Sequence, residues 1–248
     1  GQFLRHITYS RSPYSNHPCN LFVIRRTSCR WEGLEVDIQC VIAAGGRGTR
    51  LRPITDSIPK PMILVHGIPF LHLLINNLVS FDISRFVILT GYLSQNIVSY
   101  FGDGNRFGCS IRYSNEDRPL GTGGALLAAK DILEDEFIYA NGDDLPEVDY
   151  TALVTSFHQQ SSLGMVVVCK DAAGHLMIDK QTGKVEEYFV FTYLPYLDCG
   201  TKVFKKDVLD VLYWKVPFDL EPALWPILIG RQQLSTFQIS SKPYGLTT

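Results

Sequence analysis

From residue 37 onward, short apolar runs and amphipathic stretches follow one another in a strand-then-helix rhythm. Ile38 to Ala43 is an apolar run leading into Gly45-Gly46, the pattern of a buried strand entering a glycine loop. Phe70 to Phe81 reads as a helix, Arg85 to Thr90 as a strand rich in Phe, Val and Ile, and Leu93 to Phe101 as a second helix that runs into a Gly-Asp-Gly-Asn turn at 102–105. Cys109 to Tyr113 reads as a strand, Gly121 to Leu133 as a helix opened by a glycine cluster, and Phe137 to Ala140 as a strand ending in Asn141-Gly142-Asp143-Asp144. Strands alternating with helices predict a mostly parallel sheet covered on both faces.

The second half has a different texture. Thr151 to Gln160 reads as a helix and Met165 to Lys170 as a strand. Leu176 to Asp179 and Lys184 to Phe189 predict consecutive strands joined by a turn at Gln181-Thr182-Gly183. Val203 to Tyr213 is expected to be helical, with Lys205-Lys206-Asp207 as its solvated start. Leu220 to Ile229 is expected to form another helix, with Asp219 as N-cap and Pro222 in the first turn. Pro226 is expected to kink or shorten it. A parallel half thus continues into a more antiparallel half within one domain, residues 37–248.

Residues 1–36 stand apart as a non-core extension. They carry five arginines, no lysine and no acid before Glu32. An Arg- and Ser-rich, acid-poor start is the composition of an organelle-targeting segment. Vector-derived residues, or upstream sequence ahead of a start near Val36, account for it equally, and Leu21 to Ile24 is a candidate added strand.

Charge and cysteine content narrow the setting. A net charge of -2 gives no global reason to expect nucleic acid or an anionic membrane as partner, so any phosphate-binding surface must be local. No apolar run reaches the ~18–20 residues needed to span a bilayer. The six cysteines are scattered without a C-x-x-C pair, which argues for reduced thiols in a cytoplasmic protein and against a zinc site.

Candidate chemistry concentrates in Ala43-Ala44-Gly45-Gly46-Arg47-Gly48-Thr49-Arg50-Leu51-Arg52-Pro53. Glycines after a buried strand bring backbone N–H groups close to an anion, and Arg47, Arg50 and Arg52 add positive charge. Lys60 follows within Pro59-Lys60-Pro61-Met62, where flanking prolines are expected to hold it extended. A polyphosphate needs this combination. The spacing matches neither a Walker A loop nor a dinucleotide fingerprint.

The stretch Ala44 to Thr55 with Pro59-Lys60-Pro61-Met62 resembles the signature of the sugar-1-phosphate nucleotidylyltransferases, most of all their mannose- and heptose-1-phosphate guanylyltransferase branch. Tyr113 to Ala125 resembles the family's second glycine loop, and Asn141-Gly142-Asp143 its metal-binding strand end. The resemblance implies an α/β, Rossmann-like three-layer fold with a mostly parallel mixed sheet and a more antiparallel substrate-binding half. It implies an enzyme that joins an NTP, GTP above all, to a sugar 1-phosphate and releases pyrophosphate with Mg²⁺, as a possible homo-oligomer. UTP-, dTTP- or CTP-using homologues are the runners-up. The catalytic residues implied are Arg50 on the departing phosphates, Lys60 between α-phosphate and sugar phosphate, and Asp143 on the metal. Ala44, Gly45, Gly46, Gly48, Thr49, Pro119, Gly121, Thr122 and Gly123 are implied at the nucleotide, and Gly142, Asp198 and Gly200 at the sugar.

Two positions depart from the family pattern. Val190-Phe191 stand where the family commonly has a sugar-binding Glu-Lys pair. Gly245 stands where a second metal carboxylate is usual. A nucleotide-sugar-binding regulatory protein without turnover is therefore the competing reading. His72 reads as structural, the aromatics from Tyr188 to Tyr196 as strand packing, and Leu220 to Ile229 with Trp225 as core or interface.

Overall fold

The computed structural model describes residues 36–189, 193–212 and 215–246. In chain order the elements are β1 (Gln39–Ala43), the hairpin β2 (Leu64–Val65) and β3 (Ile68–Pro69), α1 (Phe70–Val79), β4 (Arg85–Thr90), α2 (Ser94–Phe101), β5 (Ser110–Asn115), α3 (Gly121–Ala128) and β6 (Glu136–Asn141). They continue with β7 (Asp144–Leu145), α4 (Tyr150–His158), β8 (Gly164–Gly174), β9 (Leu176–Ile178), β10 (Val185–Tyr188), β11 (Leu194–Lys205), α5 (Leu220–Gly230), β12 (Leu234–Ile239) and β13 (Tyr244–Gly245). The compact unit begins at Val36. The readings of the first 35 residues, the Leu21 to Ile24 strand, Val190-Phe191 and the last two threonines lie outside the described residues.

The main sheet runs β10-β9-β11-β6-β1-β4-β5, with β8 pairing β11 and β12. β6, β1, β4 and β5 are mutually parallel, so their C-terminal ends share one edge. β11 lies antiparallel beside β6 and opens the second half, where β8, β9 and β10 pair antiparallel and β12 returns parallel to β8.

Alternation along the central strands builds two cores. Cys40, Ile42, Phe86, Ile88, Ile138 and Ala140 face α1, α2 and α4 through Leu71, Leu74, Ile97, Phe101, Leu153 and Phe157. Val41, Val87, Leu89, Phe137 and Tyr139 face α3 and α5 through Leu126, Leu224, Trp225 and Leu228. Each side chain of this size stabilises the fold by roughly 1.5–3 kcal/mol when fully buried. The result is helix, sheet and helix in three layers, the period of 2 along each strand sending neighbours to opposite faces.

Several expectations need correction. The helix expected over Val203 to Tyr213 does not form in its described part, Val203 to Leu212: Val203 to Lys205 end strand β11, and a 3-10 turn covers Lys206–Val211. The long strand goes unread because Lys202 interrupts its apolar pattern while being fully buried. The helix from Gly121 stops at Ala128, with a separate 3-10 turn at Lys130–Ile132. Pro226 does not break α5, which runs on to Gly230. Both Pro222 and Pro226 are exposed, so the Pro222 carbonyl that loses its donor sits on the hydrated side. Asp219 occupies the N-cap position of α5 without a side-chain capping bond there. Trp225 is core, with no exposed surface. Strand β12 had no sequence reading.

His72 sits in an aromatic nest. Its Nδ1 is 2.9 Å from the Tyr100 hydroxyl, and its ring packs edge-on to Phe107 at 4.8 Å and to Phe101 at 6.4 Å. The Arg106 guanidinium lies over the Tyr100 and Phe107 rings. Burial first, and the Arg106 charge second, hold the His72 pKa below its ordinary value of 6.5. The unfolded chain therefore binds a proton here more readily than the folded one as pH falls below 6.5. Stability from this group is present above that value and lost on acidification. Replacing His72→Gln is expected to flatten the fall in unfolding temperature between pH 7 and pH 5, as read by circular dichroism melts of both proteins.

Candidate functional site

The shared C-terminal edge of the parallel strands opens into a cleft of about 830 Å³. Loops following β1, β4, β5 and β6 supply its walls, where ligands bind in open parallel sheets. Ala44, Gly45, Gly46, Arg47, Gly48, Thr49 and Arg50 line it after β1, Gly91 and Tyr92 after β4, Glu116 to Pro119 after β5, and Asn141 and Asp143 at and after β6.

The first loop is pinned at its start. The Ala44 N–H donates to Leu89 C=O at 2.9 Å, and the Tyr92 N–H to Gly45 C=O at 3.2 Å. Gly48 has a positive φ of 59°, and a Cβ there would lie 2.9 Å from Lys60 Cβ and 3.0 Å from Thr55 Cγ2. Both the backbone and the space demand glycine. The contact also sets Lys60 against the glycine loop, while the Thr55 hydroxyl donates to Gly48 C=O at 2.9 Å. Lys60 is not extended. It begins a 3-10 turn to Met62, closed by the Met62 N–H on Pro59 C=O at 2.8 Å. Pro61 fits the second position of such a turn, where no N–H is needed.

Lys60 donates to Asp143 in an ion pair that joins the glycine-loop side of the cleft to the end of β6. Gly142 fixes the approach of that strand end: its N–H donates to Ala43 C=O at 2.9 Å, and a Cβ would meet the same oxygen at 2.8 Å. Asp144 turns the other way, accepting from Asn141 Nδ2 at 3.0 Å. Burial, then the neighbouring Asp143 charge, push its carboxyl up to about 6. Arg47 lies over the Tyr92 ring at 5.4 Å. Gly245 pairs with Asp144 across the β7–β13 ladder, and the Leu246 N–H donates to Asp143 C=O at 2.9 Å. The position without a carboxylate thus stands beside Asp143.

The opposite wall joins α3 to the start of α5. The Leu220 N–H donates to Thr122 Oγ1 at 2.8 Å, and the Gly123 N–H to Phe218 C=O at 3.1 Å. Asp219 and Glu221 reach the cleft from here.

Of the residues singled out in the sequence, Arg50, Lys60, Asp143, Ala44, Gly45, Gly46, Gly48, Thr49, Pro119, Gly121 and Thr122 line the cleft together. Gly123 is instead buried against the Phe218 ring. Gly142, Asp198 and Gly200 lie behind the lining: Gly200 abuts Asp144, and Asp198 accepts from the Gly200 N–H at 2.8 Å. Sequence reasoning passed over Glu116, Asp117, Arg118, Asp219 and Glu221. Glu116 was legible as part of the second glycine loop; it accepts the Leu120 N–H at 3.0 Å and its carboxylate packs on Gly45 and Gly91. Asp219 and Glu221 carry no local signal, since only tertiary folding brings them to the site.

A family model described as nucleotidyl transferase matches residues 39–175. The mannose-1-phosphate guanylyltransferase of Mycobacterium tuberculosis is 32% identical over 201 residues, covering 78% of this chain and 56% of that protein. The D-glycero-alpha-D-manno-heptose 1-phosphate guanylyltransferase of Aneurinibacillus thermoaerophilus is 41% identical over 114 residues, 45% of this chain and 49% of that protein. The chain spans about half the length of these curated relatives. The structure of HddC from Yersinia pseudotuberculosis complexed with GMP-PN superposes with a TM-score of 0.67 at 27% identity, over 84% of this chain and 92% of that one. With cations and glycine backbone gathered at one strand edge and a family match over more than half its length, this chain belongs to the nucleotidyl transferase family.

Proposed function

We propose that residues 37–248 form one catalytic domain that transfers a nucleoside monophosphate from an NTP to a sugar 1-phosphate. The observation that carries this reading is the Lys60–Asp143 pair set against the Gly45–Gly48 loop in one cleft. A sugar phosphate oxygen attacks the α-phosphorus in line, the new P–O bond forms, and the bond to the β-phosphate breaks to release pyrophosphate. No protein nucleophile is required; positioning and charge neutralisation suffice. Arg50 faces the departing phosphates and Lys60 bridges the two reacting ones. The glycine-loop backbone and Gly121-Thr122 receive base and ribose.

Asp143 is the residue that would hold Mg²⁺. Among the described residues no group of three or more His, Cys, Asp or Glu gathers around a metal position. A single carboxylate at a strand end suits an ion that keeps its waters and takes most of its remaining ligands from substrate phosphates. When bound there, the ion neutralises charge on the phosphate oxygens.

GTP with a mannose- or heptose-type sugar phosphate is the favoured pair, supported by the guanylyltransferases and the GMP-PN-bound HddC to which the chain is similar. The described cysteines, Cys40, Cys109, Cys169 and Cys199, are free and buried, which supports work in a reducing compartment such as the cytoplasm.

Pyrophosphate release, measured with Mg²⁺ across the four ribo-NTPs and dTTP against mannose, heptose, glucose and N-acetylhexosamine 1-phosphates, tests the reading. Release should require both substrates, be fastest with GTP, and fall about 10²–10³-fold in Lys60→Ala, the scale of losing one charge-stabilising donor. NTP binding without release from any pair would sink transfer in favour of a binding-only protein. Gly245→Asp places a carboxylate beside Asp143. It is expected to raise turnover about tenfold, equivalent to roughly 1.4 kcal/mol of transition-state stabilisation, and the same assay reads it.

A further inference from the structure

A helix that opens with glycines after a parallel strand ordinarily offers its first N–H groups to a ligand. In α3 those groups are taken by the chain itself. The Gly123 and Gly124 N–H groups donate to Phe218 C=O at 3.1 Å and 3.3 Å, and the Thr122 N–H donates to Asp219 Oδ1 at 3.5 Å. The Phe218 N–H donates in turn to Leu120 C=O at 2.9 Å. A carbonyl and a carboxylate from residues 218 and 219 thus occupy the place where an anion would bind.

The glycines serve this docking. A Cβ at Gly121 would lie 2.3 Å from the Phe218 carbonyl oxygen, and one at Gly123 would lie 2.3 Å from Phe218 Cε2. Gly121 also has a positive φ of 75°, which a side chain would strain. What a nucleotide meets at Gly121-Thr122 is therefore packing surface, because the first donors of the helix are spent.

The second helix is served in return. Asp219 stands at the N-cap position of α5, yet its side chain makes no bond to that helix. Its oxygen goes to α3, while the first N–H of α5, that of Leu220, donates to Thr122 Oγ1 at 2.8 Å. The two helices exchange caps. A cap satisfies an orphan donor and fixes where its helix starts. A cap supplied by another helix fixes where one starts relative to the other. Thr122, Asp219 and Glu221 all line the cleft, so this exchange ties one of its walls to the loop after β5.

We propose that Thr122 is a positioning residue whose side-chain oxygen acts through Leu220 to hold the start of α5 against the cleft, and is not a ligand of the nucleotide. Its effect on turnover rests on the transfer reaction proposed above; its effect on α5 does not.

The test compares wild type with Thr122→Val, which keeps the shape and removes the acceptor, and Thr122→Ser, which keeps the acceptor. Hydrogen–deuterium exchange is followed at the amides of Leu220 to Trp225, calorimetry gives Kd for GTP, and pyrophosphate release with mannose 1-phosphate gives kcat. Exchange at those amides in Thr122→Val is expected to speed up about 5- to 10-fold, the scale of one lost helix cap, with exchange in α1 and α2 unchanged. Turnover is expected to fall about tenfold as the reacting groups lose alignment, with Kd for GTP within about twofold. Thr122→Ser should return exchange and kcat to near the wild-type values, which a loss of packing alone would not predict. Unchanged exchange in Thr122→Val overturns the proposal. Weaker GTP binding overturns it too, and makes Thr122 a nucleotide ligand. So does an unchanged kcat in spite of faster exchange. If wild type releases no pyrophosphate, transfer fails, and faster exchange in Thr122→Val with unchanged GTP binding, cured in Thr122→Ser, upholds the positioning role. Should Thr122→Val not fold, Thr122→Ala takes its place in the same three measurements.

Discussion

Everything at the cleft depends on β1 being hydrogen-bonded in parallel on both sides, to β4 and to β6. Parallel pairing makes the three strands, and β5 beyond them, finish at one edge. Their loops then converge without any loop crossing the sheet. A strand with neighbours on both sides and helices on both faces must be apolar on both faces, which is why Cys40, Val41 and Ile42 have no exposed surface at all. Rigidity at that strand is transmitted to the glycine loop by the two backbone bonds that tie Ala44 and Gly45 to β4 and the loop after it. A flexible loop would lose affinity each time it was ordered around phosphate; this one is ordered by the sheet.

Glycine does two different jobs around this edge. At Gly48 it permits a left-handed turn and lets Lys60 approach, so the cation is placed by packing rather than by its own long side chain alone. At Gly123 and Gly124 it removes side chains from the face of α3 that meets Phe218 and Val216. That second set brings the start of α5 against the cleft, and with it Asp219 and Glu221. The site is therefore built from two regions about 100 residues apart whose meeting depends on absent side chains.

The first half of the fold was legible because its central strands β1, β4 and β6 are short and buried on both faces, and each ends in a glycine-bearing loop. Uninterrupted apolar runs such as Phe86 to Leu89 leave little choice of element. The second half hid its longest strand. Lys202 lies in the last third of β11, fully buried, and a lysine in that place breaks the pattern by which strands are recognised. The residues after it, Val203 to Val211, then look amphipathic and helical. The cationic part of the site was readable from spacing for the same reason that the first half was: its residues are close in sequence. The acidic wall was not, since Asp219 reads locally as a helix cap and Glu221 as an ordinary first-turn acid. Only the approach of α3 to α5 gives either residue its position.

The family match ends at residue 175, and the wall that carries Glu221 lies beyond it. The glycine-loop wall and the Asp219–Glu221 wall of the cleft are thus carried by separable stretches of the chain. The stretch with the glycine loop and the Lys60–Asp143 pair is constrained by a central strand buried on both faces. The stretch holding Lys202 and Glu221 meets the first through β11 and two helix faces, and its cleft-facing positions can vary while those contacts persist. Change at the start of α5 can then proceed in one segment while the glycine loop and its cations keep their geometry.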